Sequence, residues 1–520
     1  MNRFLLMAAA GLCLTVGAHA HADAHPHARA HAHEKSLQTP GCENESPQQC
    51  VTAALEAMGG RERLQQVVSV RMQTVGHTLL MEQSYRQSPF IASYERGHIT
   101  IDLANQRLIA ETKLTWPESD PNQSDSDTTL VVGPDGGVYH TAFGDSPCSL
   151  GDLDASREAL ALGPMRVLLT AAGASDLHYE AAENVRSTFH TAVAFSWRHI
   201  PVRVLLNPFN HLPDAVDTTQ VFHDFWYFWG DVRQRIYFDN WKLVEGISYP
   251  TNWVEERNDA LWRSTQALNV EFNVPLDEKA FEMNAGAVKQ SAASPGWNRP
   301  FNVKQAATLA PGIDLFAGSW NATIVKEPDG VVILEAPISS LYMQGVIREA
   351  RKRYPGRPIN AVLSTSDSWP HTGGVRLAVA QRLPIYILDL NQPLLDRMMS
   401  APHTMEPDAL QKSKDSKARW KIVASKLELG SGANRMELYP LRGASTERQY
   451  MVYFPERRIL YASDTLALND DGSLYDPELM YEVSQAVKRE NLIVDTVFAM
   501  HQGPMPWEHV MALIEKSRHS

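Results

Sequence analysis

Cysteine is scarce in this 520-residue chain, with four in all, and no two of them form a C-x-x-C pair. Dithiol exchange chemistry is therefore excluded. A G-x-S-x-G elbow is also missing, as are a G-x-x-x-x-G-K-[ST] phosphate loop and a G-x-G-x-x-G turn after a strand. The usual serine-hydrolase, nucleotide and dinucleotide readings have no anchor. Positive charge is short as well: 48 Lys and Arg against 60 Asp and Glu leave a formal charge of −12. With no basic face visible, nucleic acid and acidic membrane surfaces are excluded as partners. Past the first twenty residues no stretch reaches 18 apolar residues, so no stable membrane span is expected.

What remains is globular in composition: 44% hydrophobic and 21% charged, which excludes collagen-like, disordered and multi-span chains. The length predicts two or three domains. Residues 1–20 read as a secretory signal peptide, with Arg3, the apolar run Phe4 to Val16 and a small-x-small site at Ala18-His19-Ala20. Ala22-Asp23-Ala24 is a second cleavage option, and Leu12 before Cys13 argues against lipidation. The expectation is a periplasmic or secreted protein. Cys13 leaves with the signal, so an oxidising compartment would let Cys42 and Cys50 pair, while Cys148 is expected as an unpaired, buried thiol.

Residues 21–50 form a leader. The stretch 19–33, HAHADAHPHARAHAH, holds six of the 19 histidines. It is either a flexible tail that collects zinc, nickel or copper or a polar leader whose imidazoles do nothing specific. Residues 51–284 are strand-rich. Val51–Leu64 predicts a helix broken at Gly59-Gly60, and Ser156–Ala172 a helix interrupted at Pro164. Thr251–Arg257 and Leu261–Gln266 flank a turn as hairpin arms, and Leu268, Val270 and Phe272 alternate as the inward side of a half-buried strand. Phe222 to Trp229 packs six aromatics into eight residues. It reads as a strand and bend filling the sheet's core, with a lipid-contacting surface as the alternative.

The opening helix with Gly-Gly, the successive strands, the central helix and the segment Trp241–Pro250 resemble periplasmic lipoprotein carriers. That resemblance implies a curved antiparallel half-barrel with helices around a concave apolar surface, suited to a lipid-like or small-molecule ligand. Residues 285–301, AGAVKQSAASPGWNRPF, read as a linker. From 302 to 520 short apolar strands alternate with helices, an α/β pattern. The chain as a whole is expected to be an α+β two-domain protein.

Within that second half, Gly318-Ser319-Trp320-Asn321, Val331–Pro337, Pro358–Gly374, Arg458–Asp464 and Phe498–Gly503 resemble the metallo-β-lactamase superfamily. The resemblance implies an αββα sandwich with a site on loops at one edge of two sheets. It also implies two metals held by H-x-H-x-D-H, a later His, a bridging Asp and a final His. Onto those positions fall Ser366, Ser368, Pro370 and His371 (after Thr365), then Ala444, Asp464 and His501. The first metal's positions, Ser366, Ser368 and Ala444, carry no metal ligand. Pro370 replaces a carboxylate of the second. His371, Asp464 and His501 remain, a set able to hold one Zn²⁺ or Fe²⁺.

Bland roles stay open for each: a helix-start histidine, a turn-capping aspartate, a satisfied buried imidazole. His403 is expected to cap or pack a loop. Three functions follow: single-metal hydrolysis of an ester, amide or phosphoester; a non-catalytic scaffold that keeps the fold; or metal handling by the leader.

Overall fold

The computed structural model describes residues 37–82, 90–115, 126–141, 144–303, 306–318, 320–413 and 416–518. The signal segment and the histidine run 19–33 lie outside the described residues. Gln38–Ser520 makes one compact unit of mixed α/β structure. The expected boundary at 285–301 does not divide it.

The first half is built on a 13-stranded antiparallel sheet. One meander runs outward from the strand Ser69–Leu79 to an edge strand at Gly144–Pro147. The other returns from His178–Val185 to Ala260–Phe272, which closes the path by pairing with Ser69–Leu79. The crossing between the two edges carries helices Leu150–Leu162 and Val167–Gly173, split near Pro164 as the sequence predicts. The opening helix Pro47–Ala57 starts with a capping box of Ser46 and Gln49. It stops before Gly59, whose φ of 122° and missing Cβ let the Gly246 carbonyl approach. Cys42 and Cys50 are disulfide-bonded beside it, and Cys148 is buried and free, its Sγ 3.1 Å from Ser291 Oγ.

Three expectations are corrected. Leu268 does not face inward but is 51% exposed. Gln73 pairs with Asn269 and Thr74 with Ala267, so Leu268 is the extra residue of a bulge and turns outward. Ala285–Ala292 is a helix, capped by Asn284 and docked through Ala287 and Ser291, where a linker was expected. The aromatic run leaves its sheet: the strand ends at Val221, and Phe225–Trp229 forms a 3₁₀ turn started by the Asp224 carboxylate on the Trp226 N–H.

The second half has two sheets. In the seven-stranded one, Val331–Leu334, Ile359–Leu363, Pro384–Leu388 and Arg419–Val423 run parallel. Val331–Leu334 is apolar throughout because both faces are covered. Val331 and Ile333 meet one cluster with the helices Ser340–Arg353, Val375–Ala380 and Gln392–Ser400. Val332 and Leu334 meet a second cluster shared with Met436, Leu438, Val452 and Tyr461 of the six-stranded sheet. The helices Pro477–Arg489 and Trp507–Arg518 cover that sheet's other face. Among the described residues no helix is long and apolar enough to cross a membrane.

Candidate metal centre

Three strand ends deliver the three side chains. Ile359–Leu363 runs into a loop and then the helical turn Trp369–Thr372, which carries His371. Asp464 follows the strand Ile459–Tyr461, and His501 follows Thr496–Phe498, its parallel neighbour. Parallel pairing puts Asp464 and His501 at the same sheet edge. Backbone bonds fix the loops: Ala462 N–H donates to Phe498 O, Met500 N–H to Ser463 O, and Asn321 N–H to Met500 O. The His371 turn is held by Ile338 N–H on Pro370 O and Gly374 N–H on Ala336 O.

Beneath the loops lies Glu335, which ends the strand Val331–Leu334 at a φ of 79°. Its Oε1 accepts from the Thr365 N–H at 3.2 Å, from the Thr365 hydroxyl, and from the Tyr461 hydroxyl at 3.1 Å. Thr365 Oγ1 lies 2.7 Å from Ser463 Oγ. One carboxylate thus ties the end of its own strand to two of the strand ends that carry the site, those leading to His371 and to Asp464. Burial pushes Glu335 up to about 7, against the lowering effect of His371, Thr365 and Tyr461.

The imidazoles converge on one oxygen. His371 Nε2 is 3.1 Å and His501 Nε2 3.0 Å from Asp464 Oδ1, and the three ligand atoms lie within 4.8 Å of one another. Burial would raise the Asp464 carboxyl, but the His371 and His501 imidazoles pull it well below the usual range. Zinc bonds of about 2.0–2.1 Å in a tetrahedron separate ligands by about 3.3 Å. The two N···O distances therefore fit a shared cation as well as they fit hydrogen bonds. His371 Nδ1 is buried with no partner among the described residues, so none of them supplies the outer hydrogen bond that commonly steadies a metal-bound imidazole. Exposure rises from 1% at the His371 side chain to 24% at Asp464 and 32% at His501, leaving the open side next to His501.

The positions that the resemblance assigns to further ligands lie in other surroundings. Ser366 Oγ accepts from the Ser368 N–H at 3.2 Å, and Ser368 Oγ donates to the Glu82 carbonyl at 3.2 Å. Pro370 is buried, and Ala444 is exposed on the loop before the strand Tyr450–Phe454. Asp367, between the two serines, is buried and accepts from Arg448 Nε at 3.0 Å.

Sequence reasoning missed the neighbours that come from far along the chain. The Trp369 N–H donates to Glu82 O at 3.0 Å, and its ring packs edge-on against Trp226 and Trp229 at 5.0 and 5.4 Å. Trp320 packs against His501 at 5.7 Å. The only available signal was the density of tryptophan in those segments. His403 is buried against Gly230 in the same interface, as a packed loop histidine.

No protein-family model and no curated protein sequence matches the chain. Solved structures similar to it are metallo-β-lactamase-fold proteins at low identity. The stereoselective inverting sec-alkylsulfatase Pisa1 from Pseudomonas sp. is 13% identical over 41% of each chain, with a TM-score of 0.31. DIM-1 metallo-β-lactamase is 16% identical over 42% of this chain and all of its own, with a TM-score of 0.33. TMB-1 is 15% identical over 42% of this chain and 99% of its own, with a TM-score of 0.32. The chain spans less than half the length of the alkylsulfatase.

Proposed function

We propose that this protein is a single-metal hydrolase acting on an ester, amide or phosphoester, with one Zn²⁺ or Fe²⁺ held by His371, Asp464 and His501. The observation that carries the reading is the approach of both Nε2 atoms to one Asp464 oxygen, with an open side at His501. A bound divalent ion supplies Lewis acidity and a water acidified to a pKa of about 7. The chain's own groups do the rest. His371 is held rigid by its buried turn, Asp464 contributes negative charge between two imidazoles, and Glu335 fixes the strand ends leading to those two residues. The absence of ligands at Ser366, Ser368 and Ala444 confines the site to one ion.

The finer architecture belongs to the same proposal: a curved half-barrel of 51–284 beside an αββα sandwich of 302–520. It is supported by the apolar cluster shared between the two smaller sheets and by the helices outside each. Export to a periplasm or the exterior is proposed too, supported by the Cys42–Cys50 disulfide.

A scaffold reading is favoured by one specific observation. Ser368 and Trp369 both bond the Glu82 carbonyl, so the former ligand loop is engaged in packing. Zinc content of the full chain against His371→Ala, Asp464→Ala and His501→Ala separates the readings. Each variant should lose about one equivalent, whereas zinc held by the leader would be common to all four proteins. Equal zinc in all four, with no turnover on ester, amide and phosphodiester probes, overturns the hydrolase reading and leaves the scaffold.

A further inference from the structure

Arg299 stands apart among the arginines around the centre. Arg376 is buried and paired with Asp408 at 2.6 Å, and Arg448 is paired with Asp367 at 3.0 Å. Arg299 has no carboxylate partner among the described residues, and its Nε is buried without an acceptor. Its guanidinium lies 4.7 Å from the Trp297 ring and 5.7 Å from the Trp320 ring. Those two rings meet edge-on at 5.4 Å, and Trp320 meets His501 at 5.7 Å. The Tyr342 hydroxyl donates to Trp320 O and keeps that residue in place.

A partly buried cation with no counter-ion is costly unless something anionic completes it, since desolvating an unpaired charge costs several kcal/mol. Indole faces attract a guanidinium but do not neutralise it. Burial lowers the Arg299 pKa, and the one group opposing that is the Tyr342 phenol. The chain is acidic overall at −12, so an unpaired guanidinium beside the centre is a local exception to the field around it.

We propose that Arg299 is the anion receptor of the His371–Asp464–His501 site, and that the substrate is an apolar molecule carrying an anionic oxygen group. The anionic group meets Arg299, the apolar body lies against Trp320 and Trp297, and the reacting end reaches the open side at His501. The inference rests on the hydrolase reading for the reaction. The receptor itself is separable from it, because anion binding needs no turnover.

Tryptophan fluorescence of the full chain, with zinc and after chelation, is titrated with phenylacetate and with methyl phenylacetate. The acid should bind at least about tenfold more tightly than its neutral ester, the worth of one charged hydrogen bond. Arg299→Gln should abolish that preference, Arg299→Lys should keep part of it, and neither should move the ester's affinity by more than about twofold. Equal binding of acid and ester, or a preference untouched by Arg299→Gln, overturns the assignment. A preference that Arg299→Gln abolishes in a protein that binds no zinc at His371 sustains the receptor while the metal reading fails. Zinc binding without the preference does the reverse.

Discussion

At His403, burial and a neighbouring charge act in the same direction. The residue is 6% exposed and its ring is packed on Gly230. Burial first and the Arg376 guanidinium second lower its pKa to about 4, while Asp408 and Asp231 oppose them. A base whose folded pKa is depressed contributes stability that is complete above its unfolded value, near 6.5. That contribution is lost as pH falls toward 4. Going from pH 7.5 to pH 5 should therefore cost about 2 kcal/mol through this residue alone. His403→Gln should remove that component of the pH dependence, as measured by denaturant unfolding at both pH values. An identical pH dependence in the variant would refute the assignment.

The contrast with the candidate metal-site residues shows what single positions reveal in sequence. His371, Asp464 and His501 could be selected because each stands at a spacing the family pattern supplies, and the structure brings them together. Glu335 lay within a quoted motif but offered no spacing to another ligand. Its role depends on a φ of 79° and on hydroxyls from two other strand ends. Contacts of that kind are set by tertiary packing and leave no periodicity behind.

Elements were more legible where a period or a cap carried the signal. The hairpin at 258–259 and the helix break at Gly59-Gly60 follow from turn chemistry and appear as expected. The helix Ala285–Ala292 was hidden by composition. Small residues suggest a linker, but Asn284 caps an Ala-rich run, its side-chain oxygen accepting from the Gly286 and Ala287 N–H groups. The aromatic run Phe222 to Trp229 stands out in the sequence, but neither its 3₁₀ turn nor its target is visible there, because an aromatic run does not state which surface it will bury. Its exit is Gly230, at a φ of 65°, where a Cβ would collide with Pro402 and His403.

The geometry gives this turn a positioning role. Trp226 and Trp229 grip Trp369, two residues before His371. Trp226→Ala should cost about 3–5 kcal/mol in stability. In folded protein at low temperature it should also weaken zinc binding about tenfold or more, as losses outside the ligand set commonly do. Trp226→Phe should restore most of the zinc affinity while recovering less of the stability. Zinc competition titration and chemical denaturation on the same samples separate the two effects. Unaltered zinc affinity in Trp226→Ala would show that the grip serves packing alone.

For the molecule as a whole, the texture change near residue 300 falls where one antiparallel sheet gives way to two smaller mixed sheets. It does not mark a switch between independent bodies. Met81, Phe222, Trp226, Phe228 and Val232 of the first half share one buried cluster with Ile338, Tyr342, Met343, Trp369 and Val375 of the second. Hydrogen bonds cross at the same place: Asp231 N–H to Pro402 O at 2.8 Å, Thr404 N–H to the Asp231 carboxylate at 2.7 Å, and Met405 N–H to its other oxygen at 3.0 Å. Composition distinguishes the halves because each has its own strand pattern. It is silent on their fusion, which depends on two distant apolar surfaces matching. Inter-domain contacts that are small and polar permit separate unfolding, whereas a common apolar core couples the parts. The full chain should therefore unfold in one calorimetric transition, with a van't Hoff to calorimetric enthalpy ratio close to unity. Residues 302–520 expressed alone would expose Trp369 where the aromatic turn belongs and Tyr342 where Phe301 belongs. That fragment should bind a hydrophobic dye and lack a sharp transition. Two resolved transitions in the full chain, or a cooperative fragment that still loads zinc through His371, would show that the shared cluster is a contact between finished domains and not a common core.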